Sequence, residues 1–154
     1  MSESIPAQLQ QRGALFYTLP EELVPEQIDP LLRDAVSLIN KSGWVWTAES
    51  CQGHPDADHA YPWAMNTRPM LRLVCEKANF GRMLAQLVEA STFEDDGLSR
   101  VNVLEICECR NWGPCYTQRS DPGFREVVVY VRARTVYERN LGIECYQRFA
   151  NSIK

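Results

Sequence analysis

Apolar positions recur along the chain with two different periods, and each change of period marks an element. From Ala14 to Leu19 the run ALFYTL is aromatic and β-prone, and Pro20 closes it, which predicts a first strand. After the acidic connector PEELVPEQ, Asp29-Pro30 has the form of a helix start, an N-cap aspartate followed by proline in the first turn. The helix LLRDAVSLINKS follows, with Leu31, Leu32, Ala35, Val36, Leu38 and Ile39 on one stripe and Gly43 as its stop. Trp44 to Glu49 predicts a second strand with Trp44 and Trp46 on one face. Met70 to Glu76 predicts a third, with Leu71, Leu73 and Cys75 facing one way. Asn79 is placed to cap the helix FGRMLAQLVEA, which turns Met83, Leu84, Leu87 and Val88 inward, and STFEDDGLS reads as a polar turn. Arg100 to Glu108 alternates as a fourth strand. Arg125 to Ala133 makes a fifth, whose near-continuous valines imply a central, doubly covered position. Thr135 and Glu138 have the spacing of a capping box, and the closing helix carries Val136, Tyr137, Leu141, Cys145 and Phe149 inward.

The resulting order, β-α-β-β-α-β-β-α with short links, predicts the α+β class: one mixed or mostly antiparallel sheet of about five strands with three helices. A ferredoxin-like arrangement of the C-terminal two-thirds is open to this order. Residues 1–12 are polar and Gln-rich and read as a flexible end, leaving 13–154 as a single domain. A chain of 154 residues buries roughly two-thirds of its unfolded surface, enough for a real core.

Charge changes this picture little. The net charge is −4, but residues 100–154 hold six acids against nine bases, and arginine outnumbers lysine thirteen to three. Arginine suits bidentate contact with phosphate or carboxylate, yet so small an excess is not the footprint of a nucleic-acid binder, so nucleic acid ranks below other partners. The first residues, MSESIPAQLQ, have no basic n-region and no apolar h-region, and no apolar run reaches the length of a membrane span. The expected setting is therefore cytoplasmic, away from membranes, with the six cysteines reduced.

Candidate chemistry concentrates in one stretch, ESCQGHPDADHAYPWAMNTRP, from Glu49 to Pro69. It separates the second and third strands by about twenty residues where a hairpin needs two to five, and such loops are usually functional or disordered. Its prolines, Tyr61, Trp63 and Met65 favour a structured loop. Three uses of its polar residues compete. Cys51 and His54 have the spacing of a chelating pair, to which His59, Asp56 or Asp58 and Cys107, Cys109 or Cys115 would add ligands for zinc. Alternatively Cys51 is a nucleophile with His54 or His59 as base and Asp56 orienting the imidazole, its thiol activated by a nearby cation such as Arg68. The plainest use is structural, with Cys51 ending a strand as a small apolar group and Gly53-His54-Pro55 making a turn. A second loop, NWGPCYTQRSDPG, offers Trp112 and Arg110, which with Trp63 suit stacking and guanidinium contact to a bound base or sugar phosphate.

Ser50-Cys51-Gln52-Gly53-His54 resembles the Ser-Cys-x-Gly element of the tRNA wybutosine-synthesis methyltransferases, which also opens a long loop after a strand. The likeness spans four or five residues, His54 stands where that family places arginine, and no other stretch extends it. It keeps a nucleotide-related function in view without assigning the family. Two functional classes follow. One is a small ligand-binding or catalytic domain with its site on the 50–69 loop; the other is an accessory or inhibitor protein, phage- or plasmid-like, that acts through protein contacts without chemistry.

Overall fold

The structure, a computed structural model, describes residues 28–53, 68–95, 99–102, 104–108, 123–133 and 135–153. The strand expected at 14–19 and the flexible end at 1–12 lie outside these residues, as does the interior of both long loops.

Pro30–Leu32 form a 3-10 turn that leads into α1 (Arg33–Lys41), which buries Ala35, Val36, Ile39 and Asn40. The strands β1 (Val45–Cys51) and β2 (Met70–Glu76) pair antiparallel, with an irregularity in register between Thr47 and Glu49. α2 (Phe80–Ala90) comes next, then a short ribbon of β3 (Thr92–Asp95) with β4 (Ser99–Asn102). β5 (Leu104–Glu108), β6 (Phe124–Val131) and α3 (Val136–Ser152) complete the described elements. Four strands form the main sheet in the order β1-β2-β6-β5, all neighbours antiparallel. The expected α+β class, antiparallel sheet and three helices are thus what the chain adopts. β2 and β5 run parallel, are joined through α2, and have β6 between them, which is a split β-α-β unit.

β6 is interior, as its valines implied, and Val127, Val129 and Val131 join Leu71, Leu73 and Cys75 of β2 in the core beneath the helices. The opposite face is also buried. It gathers Trp46, Ala48, Val74 and Phe124 around an ion pair, Arg72 Nη1 to Glu126 Oε1 at 3.3 Å, with both side chains nearly inaccessible. Trp44 and Trp46 do not share a face. Trp44 precedes β1 and packs on the helix side under Arg82, while Trp46 is in the second cluster. Asn40 ties α1 to β1: its Nδ2 donates to Thr47 Oγ1 and its Oδ1 accepts from Thr47 N–H.

Three other expectations are corrected. The run 91–99 is not a turn throughout, because Thr92–Asp95 pairs with Ser99–Asn102. The single strand expected over 100–108 is divided between ribbon and sheet. Val136 and Tyr137 face outward, at 42% and 72% exposure, while Cys145 and Phe149 are buried as expected and α3 also buries Arg139, Gly142, Tyr146 and Ala150. The apolar residues of its first turn attracted the inward reading, but the buried stripe passes through an arginine and a glycine that hydropathy does not mark.

Candidate functional site

Both ends of the long connector between β1 and β2 are fastened to α3, one through Arg139 and the other through Tyr146. On the outgoing side Gly53 is buried with φ of 79°, a left-handed backbone that favours glycine, and its carbonyl accepts from Arg139 Nη1 at 3.1 Å. Gln52 and Asp29 exchange roles across this root. The Gln52 N–H donates to Asp29 Oδ2 at 2.9 Å, and Gln52 Oε1 accepts from Leu31 N–H at 3.2 Å. Asp29 does precede the helical turn, as its position beside Pro30 suggested, but it makes no cap of its own there and Gln52 satisfies a first-turn donor in its place. On the returning side the Pro69 carbonyl accepts from Val131 N–H at 3.1 Å. The buried Tyr146 hydroxyl lies 3.0 Å from the same oxygen and 2.9 Å from the Val129 carbonyl, sharing one proton between them.

Beside this root opens a cavity of about 550 Å³, lined by Arg68, Glu105, Val131, Arg132, Ala133, Glu138 and Leu141. Its polar wall is an ion cluster drawn from three strand ends. Arg68 Nη1 donates to Glu105 Oε2 at 2.6 Å, and Arg132 Nε donates to Glu105 Oε1 at 2.8 Å. Arg68 and Glu105 are about a quarter exposed, and Arg132 is largely exposed. Glu138 stands in the first turn of α3, where its N–H donates to Thr135 Oγ1, so that half of the expected capping box is present.

Cys51 ends β1 half-buried. Its Sγ accepts from Gly53 N–H at 3.4 Å. Burial pushes its thiol pKa up, and the neighbouring Asp29 carboxylate, by charge and by hydrogen bond, pushes it further, against the lowering effect of the Gly53 N–H. At neutral pH this cysteine is a thiol rather than the thiolate that acts as a nucleophile. Cys75 and Cys145 are buried core residues, as expected, and burial raises them to about 12 and about 11.

The remaining candidates, His54, Asp56, His59 and Trp63 in one loop and Cys109, Arg110, Trp112 and Cys115 in the other, lie outside the described residues. Among the described residues no cluster of three or more His, Cys, Asp or Glu side chains is placed to hold a metal ion. The strand ladder does locate the roots of both loops. The 52–69 connector returns at Met70, opposite Tyr130, whereas the 109–122 segment enters β6 at Phe124, opposite Glu76. Six residues of strand, about 20 Å, separate these positions. β5 ends at Glu108, opposite Val127 and about 10 Å from the Tyr130 level. A site shared by the two loops therefore needs the second to reach back along the sheet.

Arg68, Glu105, Arg132 and Glu138 were not singled out together by the sequence. Glu105 is an ordinary polar position in an alternating strand, and the two arginines are 64 positions apart in the chain. Only the pairing of β2 with β6 and of β6 with β5 brings them to one place. Compared with models of protein families, with curated proteins and with solved structures, the chain matches none.

Proposed function

We propose that this protein is a ligand-binding domain, and that its site is the cavity at the root of the 52–69 connector, where a small molecule bearing a carboxylate or phosphate group is held by Arg68 and Arg132. The observation that carries this reading is the convergence of two guanidinium groups from separate segments on one carboxylate at a cavity wall. Arginine forks match oxyanions bidentately, and each of these two uses one nitrogen on Glu105 in a group that carries five N–H donors. Other described arginines are engaged inside the molecule, Arg72 with Glu126, Arg125 over the Phe80 ring and Arg139 on Gly53. That weighs against a general nucleic-acid surface. The raised pKa of Cys51 favours binding over nucleophilic catalysis.

The test is a titration of the full chain with inorganic phosphate, succinate and acetate, followed by backbone amide resonances. Expected are shifts confined to residues 68, 105, 131–133, 138 and 141, and dissociation constants about tenfold weaker in Arg68→Gln and in Arg132→Gln, the scale of one charge-assisted hydrogen bond. Absence of shifts with all three anions at tens of millimolar, in low salt, would sink the proposal.

A further inference from the structure

The geometry points to Glu105 as the resident counter-ion of this site: it holds the place on Arg68 and Arg132 that a ligand oxyanion takes, and the ligand binds by displacing it. This rests on the cavity reading above and adds the mode and class of binding. Glu105 spends one oxygen on each arginine, Oε2 on Arg68 at 2.6 Å and Oε1 on Arg132 at 2.8 Å, as a bridging ligand carboxylate or phosphate would. The pairs are built to exchange. Side-chain exposure is 27% for Arg68, 29% for Glu105 and 73% for Arg132, and ion pairs so open to water are weak. The contrast is the Arg72–Glu126 pair, at 4% and 0%, whose separation would strand two buried charges.

The backbone supports the same exchange. Arg68 and Arg132 each adjoin a residue of one hydrogen bond, the Val131 N–H to the Pro69 carbonyl, so the two guanidinium stems stay together when the carboxylate leaves. Among the described residues β5 is an edge strand of the sheet, with Glu105 opposite Tyr130, and its carboxylate can swing out by side-chain torsions with the ladder intact. Once it leaves, the two guanidinium groups face the ligand with Glu138 as the remaining acid of the lining, so the charged wall turns from neutral to singly positive. The site therefore takes a dianion, a phosphate or a dicarboxylate, in preference to a monoanion.

The experiment compares inorganic phosphate and acetate binding to the wild-type chain, Glu105→Gln and Glu138→Gln. Glu105→Gln should bind phosphate about threefold to thirtyfold more tightly, the span of two exposed ion pairs no longer competing. Glu138→Gln, which removes the other acid of the cavity lining, should change it by less. Phosphate should also move the Arg132 Nε–H resonance of the wild-type chain, a readout that does not depend on any variant folding. Weaker binding in Glu105→Gln, with the wild type binding normally, would overturn displacement and leave the cavity reading standing. Equal tightening in both glutamine variants, or an unmoved Arg132 Nε–H at saturation, would overturn it likewise. Failure of every anion to bind would remove both.

Discussion

Cys51 shows how burial and a neighbouring charge together change what a side chain can do. By composition it stood among histidines and aspartates as a metal ligand or a nucleophile, and among the described residues the aspartate that reaches it is Asp29, more than twenty positions earlier in the chain. Burial is the larger cause of its raised pKa, so removing the carboxylate relaxes the shift without abolishing it. Asp29→Asn keeps an acceptor for the Gln52 N–H while deleting the charge, and should leave the root intact. The expected result is an alkylation rate for Cys51 about two- to tenfold faster at pH 8, in proportion to thiolate fraction, with the pH profile moved down. Peptide-resolved mass spectrometry after timed exposure to iodoacetamide separates Cys51 from the other thiols. An unchanged profile would mean that Asp29 does not act on the thiol. The sequence made Cys51 legible as a residue to watch, but not this partner, because nothing in spacing announces a contact between a strand end and a helix start.

At the scale of elements, two glycines of similar appearance in sequence play different parts. Gly142 reads as a weak point in α3, yet a Cβ there would lie 2.8 Å from Pro69 Cγ and 3.0 Å from Val131 Cβ. The helix needs the missing side chain so that the connector root can lie against it. Gly81 in α2 has nothing within 4 Å of a Cβ. Gly142→Ala should therefore destabilise by roughly 1–2 kcal/mol, overpacking exceeding the gain in helix propensity, while Gly81→Ala should stabilise by about 0.5–1 kcal/mol. Urea denaturation of both variants checks the pair, and a stabilising Gly142→Ala would refute the packing account. The same contrast explains how far the sequence could be read. The bounds of Met70–Glu76 and Phe80–Ala90 were predicted to the residue, because alternation and a 3.6-residue stripe each determine one element by themselves, although Val88, expected inward, is exposed. The break between β4 and β5 and the buried Arg139-Gly142-Tyr146 stripe were not, because each depends on a partner elsewhere in the fold: β3 for β4, β6 for β5, and the connector root for α3. The cavity is less legible still, since strand ends made adjacent by sheet order and the first turns of α3 form its walls.

For the molecule as a whole, the core holds several acidic protons that water would remove at high pH. Cys75 and Cys145 stand at about 12 and about 11 because burial disfavours the thiolate, and the wholly buried Tyr146 is raised well above its usual value for the same first cause. In the unfolded chain the thiols ionise near 9. Between these values the unfolded state binds fewer protons than the folded one, so stability falls as pH rises, and it is fully present only below the unfolded pKa. At pH 11 the loss is on the order of 2–3 kcal/mol for each of the two thiols, a large part of a typical domain's margin. Urea midpoints measured from pH 7 to 11 should hold level to about pH 8.5 and then decline steeply. Cys75→Ala with Cys145→Ala should begin lower at pH 7, from the space left in the core, and decline less above pH 9. Parallel declines in the two proteins would show that these thiols do not set the alkaline limit of the fold.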